Sequence, residues 1–129
     1  MQPSDHLTPH FTAGELACKC GCGSFGPKDG AEIKQTAEFL EKVRSFLGNH
    51  AIHVNSGYRC PKHNAAVGGE QNSYHLRGFA ADITVEGLTP HQVQTKLEEL
   101  GSPSRQNGLG SYATFTHVDR RGYRSRWNG

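Results

Sequence analysis

The chain has 129 residues and a mass of 14.1 kDa, the size of one domain with a hydrophobic core of its own. Its 34% of apolar residues excludes an intrinsically disordered chain, and no stretch approaches the roughly 20 apolar residues of a membrane-spanning helix. The formal net charge is only +2, and the basic excess lies in one short run near the C-terminus, unlike the broad basic face typical of nucleic-acid-binding proteins.

The first part of the chain shows no hydrophobic periodicity and is rich in proline, glycine and cysteine. We therefore predict that residues 1–28 form an ordered but irregular N-terminal segment of the same domain, and that residues 29–129 form its main body. The N-terminus lacks the apolar stretch of a secretory signal, so we expect no signal peptide in this chain.

Four cysteines are present, and three of them follow one another with single-residue spacing: Cys18, Cys20, Cys22 and Cys60. Most structural zinc sites separate paired ligands by two to four residues, so this spacing is a poor match to a zinc ribbon. Free thiols, a disulfide between one of the first three cysteines and Cys60, and a second metal held by all four remain compatible with the pattern. The redox compartment is therefore undecided.

The first regular element is predicted to be a helix that begins at Asp29, with Glu32 completing a capping box. Apolar residues then recur at steps of three and four and form one stripe: Ile33, Ala37, Leu40, Val43 and Leu47. Gly48 is placed to end this helix. The stripe predicts a helix packed on the hydrophobic core.

The middle of the chain predicts two strands separated by a short helix. Residues 51–55 have the pattern of a short strand, and Pro61 can begin a helix that Gly68 and the next glycine terminate. Residues 79–85 alternate with period two and form a strand with one apolar face. Asp82 is the charged residue on its other face, which suggests either solvent contact or a functional site.

The last third predicts one helix, a loop and a final strand. Residues 89–92 form a capping box with proline at the first helical position, and Gly101 ends the helix whose buried stripe is Val93, Leu97 and Leu100. Residues 102–110 are predicted to be a polar loop and residues 112–118 the last strand. We infer an α+β fold with a small antiparallel sheet and flanking helices.

Two histidines and two aspartates carry the metal-binding chemistry. Asp82 follows His75 by seven residues, and His117 and Asp119 share one face of a strand because side chains alternate along it. Neutral imidazole and carboxylate oxygen both bind zinc, and two histidines, one aspartate and an open fourth position form the plan of a catalytic site. Taken singly, each histidine fits a surface position better than a metal site.

The motif Ser-x-His-x-x-Gly-x-Ala-x-Asp occurs complete, at Ser73, His75, Gly78, Ala80 and Asp82. A late histidine, His117, follows on a strand, with Trp127 after it. Residues 51–127 thereby resemble the zinc D-alanyl-D-alanine peptidase family, which includes vancomycin-resistance D,D-dipeptidases, phage endolysin peptidases and the hedgehog signalling domain. The resemblance implies a hedgehog/DD-peptidase-like fold and one catalytic zinc ion held by His75, Asp82 and His117.

The same resemblance assigns roles to two further residues. Ser73 would support the site by hydrogen bonding and contribute to substrate binding. Arg59 would face the site as a catalytic and substrate-binding residue, and its guanidinium suits a terminal carboxylate because it can bond both oxygens. A structural salt bridge is the alternative role for Arg59.

One part of the family pattern is missing. Family members usually carry a catalytic Glu, Asp or His shortly before the last zinc ligand, often three residues earlier, where this chain has Thr114. A threonine hydroxyl cannot act as a general base near neutral pH. Asp119 is the best replacement, with His53 and His63 as second choices. Asp119 can instead pair with Arg59 or Arg121, or support a zinc ligand.

The resemblance implies a zinc-dependent peptidase that hydrolyses D-alanyl bonds in peptidoglycan stem peptides or cross-links, as a carboxypeptidase or an endopeptidase. It implies a protein that is made in the cytoplasm and acts on the cell wall, whether released by a phage as an endolysin or exported, and we expect a monomer. The missing base leaves a second hypothesis, a non-catalytic zinc module of the same fold with a structural or wall-binding role. A metal or redox module centred on the cysteines is a third.

Overall fold

The computed structural model describes residues 1–100 and 106–129. The described chain contains seven strands and four α-helices with two 3₁₀ turns, in the order β1 (His6–Thr8), β2 (Phe11–Thr12), α1 (Ala13–Leu16), a 3₁₀ turn (Pro27–Gly30), α2 (Ala31–Phe46), β3 (Ile52–Ser56), α3 (Pro61–Ala66), a 3₁₀ turn (Tyr74–Arg77), β4 (Ala80–Val85), α4 (Pro90–Leu100), β5 (Gly108–Ser111), β6 (Thr116–Asp119) and β7 (Ser125–Asn128). Interspersed helices and strands confirm the α+β class. Within the described residues, no helix is both long and apolar enough to cross a membrane.

The main sheet has five strands in the order β3-β4-β6-β5-β7. The β3–β4, β4–β6 and β5–β6 pairs are antiparallel, whereas β5 and β7 run parallel. The expected small antiparallel sheet is therefore wrong in this detail: the sheet is mixed. The reason is that β6 turns back from β5 on one side, and the chain then crosses to place β7 on the other side of β5.

Helix α2 packs on the sheet through the apolar stripe predicted from its sequence. Ile33, Ala37, Leu40 and Val43 are fully buried, and they meet sheet residues Ala81, Ile83, Val85, Leu109 and Val118 in one core. Fully burying an isoleucine, leucine or valine side chain stabilises the fold by about 1.5–3 kcal/mol. The helix ends at Phe46, and Gly48 follows with a φ of 87°, which confirms the predicted stop.

The predicted start of α2 is wrong. Lys28 and Asp29 have φ values of 57° and 54°, so the chain makes a left-handed turn where the helix was expected to begin. The helix starts at Ala31 after Gly30, which offers no side chain for a capping box with Glu32. A capping box instead opens α1, where Thr12 and Glu15 satisfy one another's backbone N–H groups.

Helix α4 covers the same core and has the predicted cap. The Thr89 backbone N–H donates to Gln92 over 2.8 Å, and the Gln92 backbone N–H donates to the Thr89 hydroxyl over 3.1 Å. Val93 and Leu97 are buried as expected. The side chain of Leu100, the stop at Gly101 and the first part of the predicted loop lie outside the described residues.

The C-terminal part contains more strands than the sequence predicted. The end of the expected loop is β5, residues 112–115 form a turn, and β6 and β7 follow it. Strand β5 was missed because two of its four residues are glycines. A Cβ at Gly110 would collide with the Trp127 ring, and one at Gly108 would collide with the Asp119 carboxylate. The glycines therefore admit side chains from the flanking strands.

The N-terminal segment is more regular than expected, since residues 1–28 contain β1, β2, α1 and the first half of a 3₁₀ turn. Phe11 and Leu16 are fully buried in the common core. The Tyr58 backbone N–H donates to the Leu16 carbonyl over 2.9 Å, directly after β3. This bond fastens the segment to the strand end where the functional site begins.

Candidate metal centre and cleft

Three residues distant in sequence meet in one buried cluster. His75 lies on the second 3₁₀ turn, Asp82 lies in the middle of β4, and His117 lies opposite Asp82 on β6 in the strand register. All three are buried, and their potential ligand atoms lie within 4.8 Å of one another. The structure thus brings together the three residues that the motif singled out.

The distances within this cluster suit a tetrahedral metal site. Asp82 Oδ1 lies 3.2 Å from His75 Nε2 and 3.0 Å from His117 Nδ1. Zinc bonds of roughly 2.0–2.2 Å to nitrogen and oxygen in a tetrahedron place ligand atoms about 3.3 Å apart. Both separations around Asp82 Oδ1 are close to that value.

The remaining ring nitrogens have protein acceptors. His75 Nδ1 lies 2.6 Å from the Gly57 carbonyl oxygen, and His117 Nε2 lies 2.8 Å from Asp119 Oδ2. Each ring donates one N–H in this way when neutral, which leaves lone pairs on His75 Nε2 and His117 Nδ1. Those lone pairs and the Asp82 carboxylate converge, and a divalent cation is the group that such a donor set fits.

The surroundings of Asp82 and His117 shift the pKa values of both side chains. Burial raises the pKa of Asp82, but when His75 Nε2 and His117 Nδ1 carry protons, their hydrogen bonds to the carboxylate outweigh burial and hold the pKa well below its usual range. Burial lowers the pKa of His117, yet its bonds to Asp119 and Asp82 raise it above the ordinary value overall. The cluster therefore keeps its carboxylate ionised at neutral pH.

Asp119 is fully buried beneath His117. Its Oδ2 accepts from His117 and, at 2.7 Å, from Arg121 Nη2. Its Oδ1 accepts from the Gly108 backbone N–H at 3.0 Å, from Arg121 Nε at 2.9 Å and from the Arg121 backbone N–H at 3.1 Å. Burial raises the pKa of Asp119, but the bonds from His117 and Arg121 depress it strongly. Both oxygens are thus committed to donors within the protein.

Arg59 reaches the metal centre from the loop after β3. Its Nη2 donates to Asp82 Oδ2 over 3.2 Å, its Nε to the Ser56 hydroxyl over 3.1 Å, and its Nη1 to Asn64 Oδ1 over 3.2 Å. The guanidinium is therefore fixed in place, and it also lines the cleft beside the centre.

Ser73 caps the 3₁₀ turn that carries His75. Its hydroxyl accepts from the His75 backbone N–H over 3.2 Å, and the residue lines the cleft. Ser73 therefore contacts the backbone of His75, the kind of supporting hydrogen bond that the resemblance implied.

The cluster lies against a cleft of about 600 Å³. Aromatic residues form part of the wall: Tyr74, Tyr112, Phe115 and Trp127. The rings of Tyr112 and Phe115 stack with centroids 4.4 Å apart, Trp127 Nε1 donates to the Tyr112 hydroxyl over 2.8 Å, and the Trp127 ring lies 5.2 Å from that of His117. These contacts form a rigid apolar wall beside the metal centre.

Sequence reasoning missed several cleft residues. Glu70 and Arg121 line the cleft, but neither belongs to the motif, and a single acidic or basic residue in a loop carries no spacing signal. The pair of glycines in β5 was the available sign of side chains crossing that strand. Thr114 is exposed in the turn before β6 and is not among the described cleft residues.

The two histidines taken as second choices for a base lie elsewhere. His53 is exposed on β3, with its Nε2 3.9 Å from Glu86. His63 lies on α3, and neither histidine is among the described residues that line the cleft.

The chain is similar to known peptidases. The profile of the family described as peptidase M15 matches residues 9–119. The probable peptidoglycan L,D-endopeptidase MepK of Haemophilus influenzae is 37% identical over 90 residues, which are 64% of this chain and 46% of that protein. The zinc D-Ala-D-Ala carboxypeptidase of Streptomyces albus G is 34% identical over 88 residues, 64% of this chain and 34% of that protein. The chain thus spans less than half the length of these curated relatives.

Proposed function

Because the chain belongs to the peptidase M15 family, we propose that it is a zinc-dependent peptidase that hydrolyses D-alanyl bonds in peptidoglycan stem peptides or cross-links. The observation that carries this proposal is the converging His75, Asp82 and His117 donor set beside the cleft. The relatives support the substrate class, since their names specify a peptidoglycan endopeptidase and a D-Ala-D-Ala carboxypeptidase.

One zinc ion would be held by His75 Nε2, Asp82 Oδ1 and His117 Nδ1. The fit rests on donor chemistry and on the spacing of these atoms, 3.2 Å and 3.0 Å around Asp82 Oδ1. Zinc bound there supplies Lewis-acid activation of water and of the scissile carbonyl.

Asp119 is better suited to positioning His117 than to taking a proton in the cleft. A general base must reach the proton that it removes, whereas Asp119 is fully buried and its oxygens accept five hydrogen bonds from the protein. Its bond to His117 Nε2 fixes the ring orientation and keeps Nδ1 as the nitrogen facing Asp82. We therefore move the base role expected for Asp119 to another carboxylate.

Glu70 is that carboxylate. Among the described residues lining the cleft, the acidic ones are Asp82 and Glu70, and Asp82 belongs to the metal centre. Glu70 is exposed at the cleft, and its backbone carbonyl accepts from Asn64 Nδ2 over 2.9 Å, which fixes the local chain. A carboxylate exposed at the cleft can exchange protons with water and substrate there.

Arg59 and Ser73 would bind the peptide. Arg59 is held by three bonds, including one to Asp82, so it offers a fixed positive charge to a carboxylate of the substrate. The aromatic wall of Tyr112, Phe115 and Trp127 supplies apolar surface for alanyl side chains. A carboxypeptidase substrate places its terminal carboxylate next to the cleaved bond, which would make Arg59 more important than it is for an endopeptidase.

We place this activity at the cell wall, where the substrate is, with the enzyme exported or released as a phage endolysin and acting as a monomer. The location of the substrate supports the placement at the cell wall.

The direct test is mass spectrometry of two substrates incubated with zinc-loaded protein: a stem pentapeptide ending in D-Ala-D-Ala, and cross-linked muropeptides. Loss of a terminal alanine identifies a carboxypeptidase, and cleavage of the cross-link identifies an endopeptidase. Either product should disappear in a parallel sample with chelator. Folded, zinc-loaded protein that cleaves neither substrate would overturn the proposal and favour a non-catalytic wall-binding module.

A further inference from the structure

A second group of potential metal ligands lies outside the cleft. The sulfur atoms of Cys18, Cys20, Cys22 and Cys60 all lie within 4.8 Å of one another. Cys18 Sγ is 3.5 Å from Cys20 Sγ, and Cys20 Sγ is 3.7 Å from Cys60 Sγ. These residues are separated by up to 42 positions in the chain, so the fold, and not local spacing alone, assembles the group.

The loop that carries three of the sulfurs is closed on itself. The Cys18 backbone N–H donates to the Ser24 carbonyl over 3.0 Å, and Gly21 adopts a φ of 91° between Cys20 and Cys22. That left-handed conformation favours glycine and turns the chain so that alternate residues face one point. The loop therefore gathers three thiols in spite of their single-residue spacing.

The sulfur spacing matches four-coordinate metal binding. Zinc–sulfur bonds of about 2.3 Å in a tetrahedron place the sulfurs roughly 3.8 Å apart. The two separations of 3.5 Å and 3.7 Å are near that value and well beyond the roughly 2.05 Å of a disulfide bond. Four thiolates around one zinc ion form a closed structural site with no position left for substrate.

Backbone donors point at the sulfurs. The Cys60 N–H lies 3.4 Å from Cys18 Sγ, and the His63 N–H lies 3.4 Å from Cys60 Sγ. Such outer contacts orient metal ligands and offset the negative charge that four thiolates bring to one ion.

We propose that Cys18, Cys20, Cys22 and Cys60 bind a structural zinc ion separate from the ion in the cleft. This inference is independent of the proposed peptidase activity. The four ligands form a thiolate site near the surface, since Cys20 and Cys22 are exposed, whereas Cys18 anchors the site in the interior. Of the three arrangements compatible with the sequence, the geometry favours the metal site over free thiols or a disulfide.

The proposed ion would fasten the N-terminal segment to the loop that serves the cleft. Cys60 directly follows Arg59, which donates to Asp82. The same loop contains Gly57, whose carbonyl accepts from His75 Nδ1 at 2.6 Å. Fixing Cys60 to residues 18–22 therefore restrains both of these contacts to the metal centre.

The test is metal content and cobalt spectroscopy of the purified full chain. Inductively coupled plasma mass spectrometry should find about two zinc ions per chain, and about one in Cys22→Ser. Lys19→Ser, a change at a neighbouring position of the same loop, should keep both. Asp82→Asn should lose the cleft ion and keep the cysteine-bound one.

Cobalt substitution separates the two sites by chemistry. Cobalt in a four-thiolate site gives sulfur-to-metal charge-transfer absorption, whereas a site with nitrogen and oxygen ligands does not. The band should be present in the wild type and in Asp82→Asn and absent in Cys22→Ser.

Three measurements on the wild-type protein can overturn the proposal, so the test does not depend on whether the variants fold. Four thiols that react freely with a thiol reagent in the zinc-loaded native protein would contradict it. A mass lower by two hydrogens per disulfide, or a cobalt spectrum without the sulfur band, would also contradict it.

Discussion

Asp119 Oδ2 lies 2.8 Å from His117 Nε2, while the opposite ring nitrogen of His117 faces Asp82 at 3.0 Å. The ring is thus held between two carboxylates that perform different tasks. Asp82 belongs to the group of potential metal ligands, whereas Asp119 holds the orientation of the ring through its other nitrogen. This relationship makes the roles of the two aspartates separable by experiment.

Asp119→Asn should weaken zinc binding at the cleft about 10- to 100-fold, because the carboxylate that orients His117 is lost. Chelator competition against the wild type measures this change. At saturating zinc, much of the activity should return. If zinc affinity stays the same while activity is abolished at saturating zinc, Asp119 acts as the general base and our assignment to Glu70 is wrong.

Glu70→Gln should lower kcat by about 10²- to 10⁴-fold with zinc affinity unchanged, because the amide cannot accept the proton. Steady-state kinetics on the substrate identified by mass spectrometry gives the answer. Glu86→Gln, which changes an exposed carboxylate beside His53, is the matched control and should leave kcat unaltered. Equal kcat values for Glu70→Gln and wild type would remove Glu70 from the mechanism.

His75→Ala and Asp82→Ala should each abolish zinc binding at the cleft and the peptidase activity with it. Each variant removes one of three converging donors, and Asp82→Ala also leaves Arg59 without its 3.2 Å partner. Zinc content and activity are measured on the same samples. Full zinc occupancy of the cleft in either variant would contradict the ligand assignment.

Gly110→Ala should destabilise the protein by about 1–3 kcal/mol, because a methyl group there meets the Trp127 ring. Urea unfolding of the single variants and of the double variant with Trp127→Ala forms a double-mutant cycle. The cost of Gly110→Ala should fall once the ring is removed. An undiminished cost in the Trp127→Ala background would show that the ring is not the obstacle.

Glu98 on α4 predicts a pH-dependent contribution to stability. Burial raises its pKa, but bonds from Arg126 and Arg124 on the C-terminal part lower it overall. A depressed folded-state pKa stabilises the protein above the unfolded value of about 4.3, and this stabilisation is lost as pH falls through the folded value. Because the group is partly exposed, Glu98→Gln should cost only about 0.2–1 kcal/mol at pH 7.

Urea unfolding of Glu98→Gln and wild type at pH 7 and at low pH measures this contribution. The difference should vanish once the carboxyl is protonated. A difference of the same size at both pH values would mean that shape, and not charge, links α4 to the C-terminal strand.

The parts that sequence predicted well are those encoded by regular patterns. The stripe from Ile33 to Leu47 fixed the face of α2, and the capping box at Thr89 fixed the start of α4. The motif containing His75 and Asp82 identified residues that the fold then brought together with His117.

The errors occur where tertiary contacts override local signals. Asp29 begins no helix because it and Lys28 both adopt left-handed backbone conformations. Strand β5 carries glycines required by Asp119 and Trp127, two residues that come later in the chain. The parallel placement of β7 depends on a crossover that no local pattern encodes.

The strand order β3-β4-β6-β5-β7 also has a consequence for the timing of synthesis. His75 and Asp82 leave the ribosome well before His117 and Trp127, and the antiparallel pair of β3 and β4 can form while β6 is still being made. The metal centre is complete only when the last strands have emerged and paired. A nascent chain without β6 therefore cannot present all three proposed ligands, and capture of the proposed cleft ion by them follows the synthesis of His117.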